Sequence, residues 1–258
     1  MPPLDWLIRP IAHRGLHRAQ DGIIENTASA FEAAIDANYA IETDVRTSAD
    51  GQAMVFHDAS LERLTTGAGA VAALAAEDLK KTPFRATGDR MQTLPDLLDQ
   101  VAGQVPLVIE VKGDWNDQGP LERRIAADLA DYEGHVAVMS FDPHSVKAFA
   151  RAAPDIPRGL VADRCDDPHD WPTLTWWQCV AMRHLLSSLI ARPHFIAYDI
   201  GALPALAPLT ARYVFRRPLL TWTVRTKAER RRAERWADAM IFEGFGPEVE
   251  NSPIAGQG

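Results

Sequence analysis

Ala40-Ile41-Glu42-Thr43-Asp44-Val45, followed by Asp50-Gly51 and Met54-Val55-Phe56-His57, is the stretch on which the fold turns. The first run reads as a strand, Asp50-Gly51 is a tight-turn dipeptide, and the second run reads as a short returning strand. Asp44 to His57 is therefore a predicted hairpin that brings the chain back to the end of the strand it left. Outward from it, further β-type runs lie at Ile8–His13, Leu107–Lys112, Val136–Phe141, Arg158–Ala162, Phe195–Asp199, Leu219–Val224 and Ala239–Phe242. Helical patterns separate most of them. Phe31, Ala34 and Ile35 follow an Asn26/Thr27 cap; Leu94, Leu97, Leu98 and Val101 share one helix face, as do Leu121, Ile125 and Leu129. Pro95, Pro120 and Pro143 stand where a first helical turn tolerates proline best. Eight strands alternating with helices over a chain of this length predict a (β/α)₈ TIM barrel, with a doubly wound open sheet as the second choice. Residues 59–92 are then a small insertion after the second barrel strand, over the active-site face. Residues 1–250 are expected to be one domain and 251–258 a loose tail.

The chain has 258 residues, 47% apolar and 24% charged, the balance of a soluble globular protein. Its formal net charge of −8 argues against nucleic acid as a partner. No stretch reaches the ~20 apolar residues of a membrane span, and the start lacks the charged and apolar blocks of a signal peptide. Two cysteines do not make a disulfide framework. The expectation is a cytoplasmic protein with a small-molecule substrate and an oligomeric state left open.

Glu42 with Asp44, and Glu110 with Lys112, each stand at i, i+2 near a strand end, so both members of a pair share a face. Either the pairs face solvent or a rim ion pair, or they point into the barrel mouth and three carboxylates converge with a lysine. Three converging carboxylates do not easily stay ionised in a partly buried site without a cation, and oxygen-only ligands favour Mg²⁺ or Ca²⁺ over zinc. With that ion, Arg14 and Lys112 the charges sum to +1, which suits one anionic group such as a phosphodiester. His13-Arg14-Gly15 closes the first strand and His57-Asp58 closes the hairpin. Two histidines flanking a phosphate suit a base and an acid near neutral pH. Arg14 offers a planar fork for phosphate oxygens, and Gly15 permits close backbone approach.

The ordered set His13-Arg14-Gly15, Glu25-Asn26-Thr27, Glu42-x-Asp44, Asp50-Gly51, His57-Asp58, Arg63, Glu110-x-Lys112, Ser140-Phe141 and Trp222-Thr223-Val224 resembles the glycerophosphodiester phosphodiesterase family over about residues 8–242. The resemblance implies a TIM barrel hydrolase of lipid and glycerol metabolism that releases glycerol 3-phosphate and an alcohol. It implies one divalent cation, Mg²⁺ or Ca²⁺, on Glu42, Asp44 and Glu110, and a general acid–base pair at His13 and His57. Arg14 and Lys112 are implied to contact phosphate, Glu25 and Asn26 to support the metal side, and Phe141 and Trp222 to flank the glycerol. Ile241-Phe242-Glu243-Gly244-Phe245 departs from the family's Thr-Asp-x-Pro ending, a change expected to bear on the leaving group rather than the chemistry. The alternatives are a phosphodiesterase of lysophospholipids or other bulky esters, and a non-catalytic phosphodiester-binding barrel.

Three further segments have plainer readings. Cys165, His169, Cys179 and His184 have a zinc-like spacing, but free thiols and surface histidines are the expectation. Arg230-Arg231-Arg232, with Lys227 and Arg235, reads as a solvated helix face. Trp176–Ile190 has the pattern of a lipid-contacting helix, and an outer barrel helix packed on the sheet explains it more simply.

Overall fold

Nine strands form one sheet in a computed structural model that describes residues 4–113, 115, 119–167, 171 and 174–247. In chain order they are β1 Ile11–Ala12, β2 Ala40–Thr47, β3 Ala53–Val55, β4 Leu107–Val111, β5 Val136–Ser140, β6 Arg158–Ala162, β7 Phe195–Asp199, β8 Leu219–Val224 and β9 Ala239–Phe242. Eight of them run parallel, and β1 pairs with both β2 and β9, which closes the cylinder. The ninth, β3, folds back antiparallel on β2 in the register Val45↔Val55 and Thr47↔Ala53. This is the predicted hairpin on a closed (β/α)₈ barrel, and the open-sheet alternative fails.

Around the barrel lie α1 Ala28–Asp36, α3 Leu94–Val101, α4 Pro120–Asp128, α5 Pro143–Ala152, α6 Trp176–Arg183, α7 Ser188–Ala191, α8 Leu206–Tyr213 and α9 Lys227–Trp236; α2, Ala76–Lys81, belongs to the insertion. Strand residues alternate between two cores, as the two-residue period requires. Ala40, Val108, Ala137, Met139, Val161, Ala197 and Leu220 fill the interior, while Ile41, Ile109, Val138, Leu160, Ile196 and Leu219 face the helices. Leu4 and Leu7 join the interior cluster from a 3₁₀ turn at Asp5–Leu7. That turn shortens the expected first strand, Ile8–His13, to two residues, because the chain before it turns across the barrel floor. Residues 59–92 carry a separate cluster in which Leu61, Val71, Leu79, Phe84 and Met91 pack on Met54 and Phe56.

Two expectations are corrected here. Cys165 and Cys179 form a disulfide rather than free thiols, so their sulfurs are not available to zinc; His169 lies outside the described residues, as does the 251–258 tail. The Trp176–Ile190 helix breaks in two between Arg183 and Ser188. It buries Met182 and Leu185 but leaves Trp176, Trp177, Leu186, Leu189 and Ile190 exposed. The basic face of α9 is solvated as expected, with Arg230 paired to Glu234.

Candidate active site

β2 and β4 are neighbours with Asp44 directly opposite Glu110. In a parallel ladder that register puts both side chains on one face, and Glu42, two residues below Asp44, shares it. All three carboxylates are buried, and one oxygen from each lies within 4.8 Å of the others. Burial and the neighbouring Asp44 and Glu110 push the Glu42 carboxyl well above its usual range. Burial acts on Asp44 too, but Lys112 and Arg14 overcome it and hold Asp44 ionised far below the ordinary value. Lys112 Nζ is 2.9 Å from Asp44 Oδ1 and 2.6 Å from Glu110 Oε1. Hard oxygen donors alone, crowded and buried, fit a divalent cation of the Mg²⁺ or Ca²⁺ type.

His13-Arg14-Gly15 follows β1. The Arg14 backbone adopts φ 55°, a left-handed conformation costing on the order of 1–3 kcal/mol, and its N–H donates to Glu42 Oε2 at 3.0 Å. Gly15 has φ +78°, and a Cβ there would stand 2.8 Å from the Ala30 carbonyl. The glycine therefore serves the close approach of this loop to α1. Arg14 Nη1 donates to Glu25 Oε1 at 2.7 Å, and Arg14 Nε lies 3.2 Å from Asp44 Oδ2. Glu25 also accepts from Arg63 of the insertion. It thus holds two arginines, while Asn26 donates to Asp44 Oδ2 at 2.9 Å and accepts from Thr43 at 2.8 Å. Of the Glu25-Asn26 pair, only Asn26 touches a member of the carboxylate trio directly.

Each histidine is anchored through Nδ1. His57 Nδ1 meets Asp58 Oδ1 at 2.7 Å, and Asp58 is held in turn by Arg63. His13 Nδ1 meets Glu243 Oε2 at 2.9 Å, and its Nε2 is 3.9 Å from Glu42 Oε2. Burial lowers both imidazoles, His57 to about 4. Glu243, hydrogen-bonded to His13 and paired with Arg225 at 3.1 Å, is held down at about 2. Sequence reasoning gave Glu243 no part in the chemistry. Its contact joins residues 230 positions apart, and the available signal was an acidic residue one step past the last barrel strand. Glu243→Gln is expected to lower kcat/KM by about 10²-fold or more by loosening the His13 ring. Metal affinity, measured in parallel by titration, should change little, because Glu243 lies outside the carboxylate trio.

A cleft of about 760 Å³ opens over these groups at the C-terminal strand ends. His13, Arg14, Glu42, His57, Glu110 and Lys112 line one side. Opposite stand Phe141 and Trp222, edge to face with centroids 5.3 Å apart, and Phe141 also contacts Trp171. Asp44 lies beneath Lys112. The structure thus brings together His13, Arg14, Glu42, Asp44, His57, Glu110, Lys112, Phe141 and Trp222, with Asn26 behind Asp44.

Residues 13–244 match the model of the Glycerophosphoryl diester phosphodiesterase family. The chain belongs to that family. A glycerophosphodiester phosphodiesterase of Caldanaerobacter subterraneus subsp. tengcongensis is 30% identical over 161 residues, 58% of this chain and 65% of the relative. One of Bacillus subtilis (strain 168) is 28% identical over 174 residues, 58% of each chain. The match thus spans less than two thirds of these relatives' length. Among solved structures, an Oleispira antarctica phosphodiesterase in complex with sn-glycerol-3-phosphate has a TM-score of 0.74 at 17% identity, covering 91% of this chain and 92% of its own. A glycerophosphodiester phosphodiesterase from Thermotoga maritima has 0.67 at 21%, covering 90% and 93%. At these identities the likeness is one of fold, and it is the same barrel. No helix among the described residues is long and apolar enough to cross a membrane.

Proposed function

We propose that this member of the family hydrolyses glycerophosphodiesters to glycerol 3-phosphate and an alcohol, with one divalent cation held by Glu42, Asp44 and Glu110. The observation that carries the reading is the trio of buried carboxylates converging within 4.8 Å beneath a cleft that two anchored histidines line. A bound divalent cation would polarise a phosphoryl oxygen and order a hydroxyl group.

The chain's own residues do the rest. Arg14 and Lys112, lining the cleft beside the trio, supply the positive charge that a phosphodiester anion and its transition state require. Asn26 fixes the Asp44 carboxylate, and Glu25 fixes the Arg14 guanidinium. In its neutral form each histidine donates Nδ1–H to a carboxylate, which leaves Nε2 to accept a proton from the nucleophile. When protonated, the same atom returns a proton to the departing alkoxide, so two imidazoles can divide base and acid work. Phe141 and Trp222 form the wall for the glycerol carbons. Trp222 Nε1 is a buried donor without a hydrogen-bond acceptor among the described residues, so the indole meets the cleft through its ring.

The test is release of glycerol 3-phosphate from glycerophosphocholine and glycerophosphoethanolamine. Release should stop with a chelator and return with Mg²⁺ or Ca²⁺. Tight binding of the diesters without product under any divalent ion would instead favour the non-catalytic alternative.

A further inference from the structure

One imidazole beside the cleft has no part in the chemistry above. His17 follows His13 across a loop that two left-handed residues, Arg14 at φ 55° and Gly15 at φ 78°, turn back on itself. Among the described residues its ring makes no hydrogen bond or salt bridge. It nevertheless has company. A ring nitrogen of His17, one of His13 and a carboxylate oxygen of Glu243 all lie within 4.8 Å of one another. Glu243 Oε2 meets both His13 Nδ1 at 2.9 Å and Arg225 Nη2 at 3.1 Å, which leaves Oε1 without a hydrogen bond among the described residues. All three residues are half-buried, within reach of an ion from solvent, and His17 stands outside the lining of the cleft.

Two imidazoles and one carboxylate are a different ligand set from the oxygen trio. Nitrogen donors select first-row dications of the zinc class, whereas Mg²⁺ and Ca²⁺ keep to oxygen. Zinc–nitrogen bonds of about 2.0–2.1 Å put tetrahedral ligand atoms roughly 3.3 Å apart. The cluster is looser than that, and the His17 ring, which no hydrogen bond holds, is the member that can swing in. Glu25 and Glu243 face His17 against Arg14 and Arg225, so the surrounding charges cancel and the donor atoms decide the affinity. We propose that His13, His17 and Glu243 bind one zinc-class dication and that its binding switches hydrolysis off. The ion takes His13 Nδ1, the atom that otherwise meets Glu243. A neutral imidazole carries one N–H, so the hydrogen moves from Nδ1 to Nε2 and no proton is released. Nε2 then has no lone pair for the nucleophile's proton, and it holds its own hydrogen too firmly to protonate a departing alkoxide. The inference rests on the acid–base role proposed for His13 and adds a control on it.

The experiment titrates Zn²⁺ into the protein saturated with Mg²⁺ or Ca²⁺ while turnover of glycerophosphocholine is followed. Expected is a fall of about 10²-fold or more, the size of losing one general acid–base group. His17→Gln removes a ring with no polar partner, so it should keep the basal rate. It should need about 100-fold more Zn²⁺ or beyond for the same loss, since even a supporting partner of a metal ligand is worth 10–100-fold in affinity. Co²⁺ in place of Zn²⁺ reads the site without any reaction. Two nitrogen ligands in a tetrahedral set give it strong visible absorption, which an all-oxygen trio does not. That band should grow in the native protein preloaded with Mg²⁺ and be missing from His17→Gln. Equal Zn²⁺ sensitivity of the native protein and the variant overturns the proposal, because the ion would then act on the trio or elsewhere. So does the lack of a band in the native protein, or a His17-dependent band with turnover untouched. Failure to hydrolyse glycerophosphocholine with any divalent cation would sink the activity instead, and the Co²⁺ band would still decide the metal site.

Discussion

Glu42→Gln should cost about 10³-fold or more in kcat/KM, the size expected when a cation worth several kcal/mol to the transition state is poorly held. The substitution is nearly isosteric, and Glu42 sits in a barrel interior already packed around it, so the fold should be retained. A second readout separates metal loss from general damage. In the cation-free protein, burial and the neighbouring carboxylates favour a proton on Glu42. Metal binding must then displace that proton, so apparent affinity weakens as pH falls and calorimetric heats depend on the buffer. The glutamine variant should lose both the affinity and the proton release. Near-native turnover, or unchanged cation affinity, would remove Glu42 from the metal set.

His57→Ala is expected to lower kcat by about 10²–10⁴-fold with the barrel intact. The side chain is 30% exposed, so its loss opens no cavity in either core. Its folded-state pKa of about 4 lies below the ~6.5 of an unfolded histidine. The unfolded chain therefore binds more protons between those values, and His57 subtracts stability as pH falls through that window. The alanine variant should lose less stability on acidification from pH ~6.5 to ~4 than the parent, as denaturant titration would show, while being far slower. A variant that turns over normally would take His57 out of the acid–base pair.

Most of the barrel could be read from single runs of residues. Arg158–Ala162, Phe195–Asp199 and Leu219–Val224 are short apolar stretches buried on both faces, and the structure has them at those bounds. The convergence of Glu42 with Asp44 follows from strand alternation alone, and the return of His57 from the Asp50-Gly51 turn. Contacts made across the barrel were beyond that kind of reading. The meeting of Lys112 with Asp44 and Glu110 is the inward alternative of the two i, i+2 pairs, and choosing it takes the pairing of β2 with β4, which no single run shows. Glu25 holds Arg63 only because the insertion folds back over α1's approach. The Trp176–Ile190 pattern misled for a related reason. Periodicity announces an apolar face without saying what covers it, and here two helices leave a trough between them.

His13 and Glu243 come from opposite termini of the barrel and meet where β1 closes on β9, with His13 N–H donating to the Phe242 carbonyl. A nascent chain still inside the ribosome tunnel at its last strand can carry the carboxylate trio, yet it lacks the partner that orients its first histidine. Recovery of turnover during refolding should accordingly lag behind recovery of helical signal and coincide with closure of this seam, making the reaction itself a reporter of the barrel's last stitch.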